Sequence, residues 1–252
     1  MLTLGQISDT IYFKFRKSQV DAMNTQRLGV IHVSDIIKPC MRNVIYKKTI
    51  PDGGMTTEDM KSLYFGQVVH SNSMIADEEH HEMFFAYNYV RDEVLTKEEA
   101  LKIPADDPKH LDIIYGSVDD VVKIGEKWII CDKKTTGSID YFSKTTSKAS
   151  ESHVDQINRY RVLLKKCYNI DAEYGCVVYI SNSISKDSRD KPAIISFKLS
   201  PIDEILEDMI KKSRAIKESL TNNILPERTK CYLCDGFCPY ATKCFSEESD
   251  SF

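Results

Sequence analysis

The sequence predicts a mixed α/β or α+β domain rather than a helical bundle. Helical periodicity dominates the N-terminal third, strand-like alternation recurs through the middle, and one further helical stretch precedes a C-terminal group of cysteines. Helices before and after strands in this order cover the faces of one central sheet. We expect that sheet to be mainly antiparallel.

The N-terminal third predicts three helices, over residues 5–24, 34–47 and 58–79. Ser34 is a candidate N-cap of the second, because serine favours the position before the first helical residue. The run EMFFAYNYVRDEV (82–94) reads as strand, and KEEALKIPADDPKHL (97–111) as a loop containing a short helix.

The remaining elements surround one hairpin in residues 116–137. They are a polar linker at 138–150, a helix over 151–167, strands at 173–181 and 193–200, and a last helix that starts at Pro201. Proline suits the first turn of a helix because no intrahelical partner awaits its missing N–H.

Length and charge limit the class of protein. The 252 residues, 42% of them hydrophobic, suffice for one core with an attached subdomain. The net charge of -4 excludes a polycation, so nucleic acid could be held only in a local groove. The start lacks a signal-peptide pattern, and no apolar run approaches the roughly 20 residues that span a bilayer. We expect a soluble, cytoplasmic protein.

The hairpin GSVDDVVKIGEKWIICDKKTTG places charges inside two otherwise buried strands. A two-residue turn at Gly125-Glu126 puts Asp119 opposite Asp132, with Lys134 on the same face as Asp132. Two carboxylates and an ammonium converging in this way suit a hard divalent cation, Mg²⁺ or Mn²⁺. The competing interpretation is an ordinary solvated strand face, since short motifs often match by chance.

Two helical patterns add polar groups. Gly66 and His70 are one turn apart, as are Gln156 and Tyr160, with His153 on the same stripe as the latter pair. Taken alone, each pattern fits an amphipathic helix with structural polar residues. Their order along the chain carries more information than either pattern.

In chain order these motifs are G-x3-H, G-x-V-D, D-x-K and Q-x3-Y, with a cysteine upstream and several at the C-terminus. The set resembles the RecB-type nuclease branch of the PD-(D/E)XK superfamily, specifically the iron–sulfur exonucleases related to CRISPR-associated protein four. The resemblance covers residues 31–245. It implies a restriction-endonuclease-like core, with a central mixed sheet flanked by helices, and a small iron–sulfur subdomain.

The resemblance also implies roles for individual residues. The metal ligands fall on His70, Asp119 and Asp132, the last replacing the glutamate of many relatives. Lys134 falls on the catalytic lysine. Gln156 and Tyr160 match the signature that supports the site. Asp120 competes for the place of Asp119, although glycine spacing and hairpin register favour Asp119.

The cysteines leave two interpretations open. Relatives hold a [4Fe-4S] cluster with one N-terminal and three C-terminal cysteines, which implies Cys40, Cys234, Cys238 and Cys244, with Cys231 as the alternative to Cys234. A zinc site of Cys231, Cys234, Cys238 and Cys244 is the rival, because C-x2-C also suits tetrahedral zinc.

The predicted organisation is an N-terminal helical extension (1–30), a nuclease core (31–230) and a C-terminal cysteine cluster (231–252) that closes the subdomain with Cys40. The implied function is a Mg²⁺- or Mn²⁺-dependent exonuclease acting on single-stranded DNA ends in CRISPR adaptation or DNA repair, beside a CRISPR integrase or repair proteins. The alternative is a catalytically weak DNA-binding or adaptor subunit. Basic residues near the motifs are candidate substrate contacts: Arg42, Lys47, Lys48, Lys133, Lys144, Lys148, Arg159 and Arg161.

Overall fold

The computed structural model describes residues 29–50, 65–66, 68–70, 76–139, 141–142, 148–181 and 192–246. Its strands are β1 (Ile31–His32), β2 (His81–Asn88), β3 (Glu93–Val94), β4 (Ile113–Ile124), β5 (Lys127–Thr136), β6 (Ala172–Ser181) and β7 (Ala193–Lys198). Its α-helices are α1 (Val33–Ile36), α2 (Met41–Thr49), α3 (Lys97–Lys102), α4 (Glu151–Tyr168), α5 (Ile202–Asn222) and α6 (Ala241–Ser246). Short 3-10 helices are Glu78–His80, Pro108–Asp112 and Tyr232–Cys234.

The described strands form one mixed sheet in the order β3-β2-β4-β5-β6-β7, and β1 pairs with β4. The β1–β4 and β5–β6 pairs are parallel. The other four pairs are antiparallel, which confirms the expected mainly antiparallel sheet. Helices flank this sheet, so the predicted mixed α/β class is correct.

The β4–β5 hairpin has the register that the sequence predicts. Pairing runs from Ile124 opposite Lys127 to Asp120 opposite Cys131. Gly125 in the turn has φ +60°, a left-handed conformation that glycine adopts without a steric penalty. The turn therefore fixes which residues of the two strands face each other.

The hairpin strands separate beyond the pair Asp120–Cys131. One edge of β4 continues to pair with β2, and its other edge pairs with β1 at Ile114 and Tyr115. Meanwhile β5 continues along β6 as far as Thr136. The two strands thus fork, and Asp119 and Asp132 are the first residues past the branch.

Helix α4 lies against one face of the sheet, in contact with β2, β5 and β6, and α5 packs on α4. Ile157, Leu163 and Leu164 of α4 are fully buried in the main core. On a second, smaller cluster, Ala100 of α3 packs with Ala86 and other residues of β2 and β4. The sheet is therefore covered by α4 and α5 on one side and by α3 on the other.

The expected helix 34–47 is wrong in one respect, because it is two helices. Lys38-Pro39-Cys40 separates α1 from α2, since proline lacks an N–H and disfavours a helical residue before it. Ser34 is not the N-cap; His32 holds that position, and its backbone N–H donates to Asp35 Oδ2 at 2.9 Å.

Two further segments differ from the prediction, and one lies outside the described residues. The run 82–94 is β2 and β3 joined by a turn, in which Asn88 Oδ1 accepts from the N–H groups of Val90 and Arg91. Of the expected helix 58–79, residues 65–66 and 68–70 are helical, and 76–77 are not. The expected helix 5–24 is outside the described part. Among the described residues, no helix has the length and apolarity needed to cross a bilayer.

The contact between β6 and α4 predicts the effect of adding one methyl group. A Cβ on Gly175 would lie 2.7 Å from Ile157 Cγ2 and 2.9 Å from Phe197 Cε2. We expect Gly175→Ala to lower the free energy of unfolding by about 1–3 kcal/mol through overpacking, measured by urea denaturation. Glu126→Ala in the hairpin turn, at a side chain 94% exposed, should change it by less than about 0.5 kcal/mol. Equal changes in the free energy of unfolding for the two variants would contradict the close packing of Gly175 against Ile157.

Candidate active site

Two buried carboxylates lie at the fork between β4 and β5. Asp119 is 9% exposed and Asp132 is 2% exposed. The backbone N–H of Lys133 donates to Asp119 Oδ2 at 2.6 Å, so a side chain of β4 reaches across the fork to the main chain of β5. The carboxylate is therefore fixed at the point where the strands part.

His70 contacts the other oxygen of Asp119. Its Nδ1 atom lies 2.7 Å from Asp119 Oδ1, and its side chain is one-third exposed. With the carboxylate oxygen as acceptor, Nδ1 is the donor in this contact, and Nε2 remains for another partner. The helical residues around His70 thus bring an imidazole to the carboxylate of β4.

Lys134 and Asp132 form an ion pair on β5. Lys134 Nζ lies 2.8 Å from Asp132 Oδ2, yet among the described residues this oxygen has no hydrogen bond of proper geometry. Burial raises the pKa of Asp132, the Asp119 carboxylate adds to the rise, and Lys134 opposes it. Asp119 and Asp132 are thus near enough to repel each other, and a positive charge between them would be favoured.

Helix α4 adds Gln156 and Tyr160 at the same place. Gln156 Nε2 donates to Tyr160 Oη at 2.7 Å. Tyr160 is buried, and its pKa is raised by that burial and by the charges of Asp132 and Asp119. The structure therefore brings together six sequence-predicted residues from four elements, which are the helical residues around His70, β4, β5 and α4.

His153, on the same helix, is held by another residue. Its Nδ1 lies 2.9 Å from the hydroxyl of Tyr179 on β6. Burial, and then the positive charge of Lys134, lower the pKa of His153 to about 4. The imidazole is therefore neutral near pH 7.

Asp120 belongs to a different cluster from Asp119. Its Oδ2 lies 3.2 Å from Lys133 Nζ, and its Oδ1 lies 3.1 Å from Nδ1 of His81. The side chains of Asp120 and Lys133 are fully buried. Sequence reasoning missed His81, which lies in no motif and meets Asp120 only through the β2–β4 pairing.

The donor chemistry at the fork fits a hard cation. Buried carboxylate oxygens suit Mg²⁺ or Mn²⁺, and Oδ2 of Asp132 is a buried oxygen that contacts the Lys134 ammonium. Among the described residues, however, no three His, Cys, Asp or Glu side chains are grouped to hold a metal ion. Lys134 occupies an oxygen of Asp132 that a cation would need, so binding requires this side chain to move.

The N-terminal and C-terminal cysteines meet in one corner of the molecule. Cys40 is buried, and its pKa is raised by burial and by nearby Cys231 and Cys244. Cys231 Sγ lies 4.0 Å from Cys234 Sγ, and Asn43 Nδ2 donates to Cys238 Sγ at 3.2 Å. The described cysteines are all free thiols. Both Cys231 and Cys234 are in this corner, so the choice between them stays open.

Four of the candidate substrate-contacting cations are buried, and that prediction is wrong for them. Arg42 Nε donates to the carbonyl oxygen of Pro226 at 2.7 Å, and Arg159 pairs with Asp155 and Asp208. Lys48 pairs with Asp35, and Lys133 with Asp120. The four buried cations therefore form structural contacts within the protein and are not available to substrate. Lys144 lies outside the described residues, whereas Lys148 is exposed.

No family model matches this sequence, and no protein of curated function matches it. The crystal structure of SSO0001 is similar over 90% of this chain and 95% of its own, at 15% identity and a TM-score of 0.48. An alkaline exonuclease (LHK-Exo) from Laribacter hongkongensis is similar over 78% and 94%, at 11% identity and a TM-score of 0.38. A phage-related exonuclease from Haemophilus somnus 129PT is similar over 79% and 98%, at 12% identity and a TM-score of 0.38.

The surroundings of His153, which are its burial and the nearby charge of Lys134, predict how it titrates. With a pKa of about 4, His153 stays neutral in the folded protein while an unfolded chain protonates near its ordinary value. Its contribution to stability is therefore present at neutral pH and is lost as pH falls from about 6.5 toward 4. We expect Lys134→Met to raise the pKa of His153, because a nearby cation is removed, as followed by NMR of the ring.

Lys123→Met is the matched control, since this lysine lies near the hairpin turn with its side chain 47% exposed. It should leave the His153 titration unchanged. Two results would contradict this description of the His153 surroundings. One is a His153 pKa near 6.5 in the parent protein, and the other is a His153 pKa that Lys134→Met leaves unchanged.

Proposed function

We propose that this protein is a metal-dependent nuclease that hydrolyses phosphodiester bonds in DNA. The observation that carries the proposal is the group of buried Asp119 and Asp132 with Lys134 beside them at the fork of β4 and β5. Burying two carboxylates together is unfavourable unless a cation or a proton compensates them. A binding site for a divalent cation accounts for the pair.

Asp119 and Asp132, with His70, are the residues that would hold Mg²⁺ or Mn²⁺. The chemistry that such a cation would supply is polarisation of the scissile phosphate and a lower pKa for a bound water. The Lys133 N–H keeps the Asp119 carboxylate oriented toward the fork. His70 presents Nε2, because its Nδ1 proton is directed at Asp119.

Lys134 supplies the mobile positive charge. In the present arrangement it neutralises Asp132, and its ammonium is partly exposed, with 21% of the side chain accessible. Once released from Asp132, the same ammonium offsets the negative charge that develops on the phosphate during attack. Burial keeps the Tyr160 hydroxyl neutral, and the hydrogen bond from Gln156 holds it beside the carboxylates, where it can orient substrate or water.

The finer parts of the proposal rest on the order of the sequence motifs. They are a restriction-endonuclease-like core, exonuclease action on single-stranded DNA ends, and a place in CRISPR adaptation or DNA repair beside an integrase or repair proteins. Exposed Tyr141 and Tyr232 line one groove of about 800 Å³ together with Lys148, which precedes α4 by three residues. Aromatic faces and a cation are groups that bind single-stranded nucleic acid. Glu151 and Asp155 also line this groove, and their negative charges would repel phosphates.

We also propose that the cysteine corner holds a [4Fe-4S] cluster through Cys40, Cys238, Cys244 and either Cys234 or Cys231. The nearness of Cys231 and Cys244 to Cys40, across most of the chain, supports a ligand set drawn from both ends. Thiolates are the ligands of such clusters. The zinc alternative uses only the C-terminal cysteines and leaves Cys40 out.

A second candidate is a DNA-binding or adaptor subunit with little catalytic activity. The ion pair between Lys134 and Asp132 favours it, since the lysine occupies an oxygen that the cation would need. The two candidates differ in whether the protein cuts DNA when it is supplied with metal.

The first prediction concerns cleavage. We expect Mn²⁺-dependent cleavage of end-labelled single-stranded DNA, and we expect Lys134→Ala to slow it at least about a hundredfold, because the charge on the phosphate is no longer offset. Asp119→Ala should also abolish cleavage, while the iron content of either variant stays that of the parent. Lys123→Ala, with its exposed cation near the hairpin turn, should cut normally.

If the parent binds DNA and Mn²⁺ without cutting, the adaptor function replaces the nuclease. If Lys134→Ala and Asp119→Ala cut as well as the parent, the assigned residues are wrong even though the protein is a nuclease.

The second prediction concerns the cysteine corner. Protein purified without oxygen should contain about four iron atoms per chain, and Cys40→Ser should lose most of them, because one of the four ligands is removed. Metal analysis and visible absorbance measure this. Cys167→Ser, at a cysteine of α4 with no assigned role, should keep the iron. Zinc that is retained in Cys40→Ser would instead support the rival site.

A further inference from the structure

Lys133 lies between Asp132 and Lys134 in sequence, but its side chain takes a different direction. It is fully buried, one of the largest side chains with no solvent exposure. Successive residues of a strand point to opposite faces, so the ammonium of Lys133 lies away from that of Lys134. The two adjacent lysines therefore have different surroundings.

The ammonium of Lys133 binds two groups at once. Its Nζ lies 3.2 Å from Asp120 Oδ2 and donates to the backbone carbonyl oxygen of His70 at 3.3 Å. The first contact neutralises a fully buried carboxylate. The second ties the main chain that carries His70 to the sheet. Lys133 thus contacts the backbone of one proposed cation ligand.

The backbone of Lys133 contacts a second proposed ligand. Its N–H donates to Asp119 Oδ2, while His70 Nδ1 donates to Asp119 Oδ1. One residue therefore holds the carboxylate through its main chain and the histidine segment through its side chain. The relative position of the imidazole and the carboxylate is set by both contacts.

A second residue, His81 of β2, contacts β4 at Asp119 and Asp120. Nδ1 of His81 lies 2.8 Å from the backbone carbonyl of Asp119 and 3.1 Å from Asp120 Oδ1. The carbonyl can only accept, so His81 donates from Nδ1. Lys133, Asp120 and His81 form one polar cluster, which we call the back cluster, behind Asp119; the side chains of Lys133 and Asp120 are fully buried and that of His81 is 16% exposed.

We propose that Lys133 is a positioning residue that sets the placement of His70 against Asp119 for cation binding. The inference rests on the proposed function, since it assigns Lys133 a role in that same site. A buried ion pair contributes little net stability compared with apolar residues of similar volume, so stability alone gives a weak reason for a lysine here. The contact with the His70 carbonyl gives a specific reason for a lysine at this position.

The test compares Asp120→Asn with the double variant Asp120→Asn/Lys133→Met. Both lack the buried carboxylate, and they differ only in the lysine side chain. In Asp120→Asn the ammonium keeps the His70 carbonyl and the new amide oxygen as acceptors, and in the double variant the buried charge is removed as well. We expect the double variant to bind Mn²⁺ about tenfold more weakly than Asp120→Asn in calorimetric titration, the usual size of the effect when a group supporting a metal ligand is lost. The half-saturating Mn²⁺ concentration for cleavage should rise equally, with less change in kcat at saturating Mn²⁺.

A reading that needs no metal accompanies this titration. In metal-free protein, the ¹⁵N shifts of the His70 ring report its hydrogen bond to Asp119, and they should differ between the two variants. Equal shifts and equal Mn²⁺ affinities would overturn the role of Lys133 while leaving the nuclease proposal intact. A parent that neither binds Mn²⁺ nor cuts DNA would overturn the nuclease proposal, whatever the ring shifts show.

The control is a second buried pair built in the same way. Lys48 Nζ lies 2.8 Å from Asp35 Oδ2 and donates to the carbonyl oxygen of Val30 at 2.5 Å. Asp35→Asn/Lys48→Met should be less thermally stable than the parent. Its Mn²⁺ affinity should equal that of Asp35→Asn. If it weakens Mn²⁺ binding as much as the test variant does, the effect is general loosening and the proposal fails.

A variant that keeps the charge covers the case in which the double variant does not fold. Lys133→Arg retains a cation for Asp120, but its planar head cannot reproduce the position of the ammonium against the His70 carbonyl. We expect Mn²⁺ affinity to fall here too, with altered His70 ring shifts. Parental affinity and parental shifts in Lys133→Arg would overturn the proposal.

Discussion

The hydrogen bond from the Lys133 amide to Asp119 is the interaction on which the site depends. Where β4 and β5 separate, their backbone groups lose the partners that an unbroken ladder would provide, and a buried N–H without an acceptor is unfavourable. The Asp119 carboxylate accepts at 2.6 Å and takes the place of the missing carbonyl. The end of the hairpin ladder and the orientation of the acidic side chain are therefore set together.

Two doublets of like charge, Asp119-Asp120 and Lys133-Lys134, meet across this fork without forming one continuous charged surface. The alternation of strand residues divides them between two groups. Asp119 is bound by His70, whereas Asp120 and Lys133 neutralise each other behind it. Asp132 has Lys134 as its counter-charge, and that lysine is partly exposed. The back cluster lies on one face of the sheet, and the partly exposed Lys134 lies on the other, where the proposed function places the substrate.

The sequence was sufficient to predict features that depend on local rules. Glycine in the turn fixed the hairpin register, and alternation located β6 and β7. Other features depend on distant parts of the chain. Among the described strands, the two-residue β1 pairs with β4. The buried ammonium of Lys133 is neutralised by Asp120 of the neighbouring strand, on the same face of the sheet. His81 had no motif of its own. The helix break at Pro39 could have been predicted, because a proline within a helical pattern predicts that the helix ends there.

The hydrogen bond from Arg42 to the Pro226 carbonyl has a consequence for the order of assembly during synthesis. It spans 184 residues, and the guanidinium is almost fully buried. A buried guanidinium needs its acceptors, so α2 cannot reach its final packing while the distant segment is still inside the ribosome. The helix that begins next to Cys40 is consequently among the last elements to settle, after the sheet that carries the carboxylates has been translated.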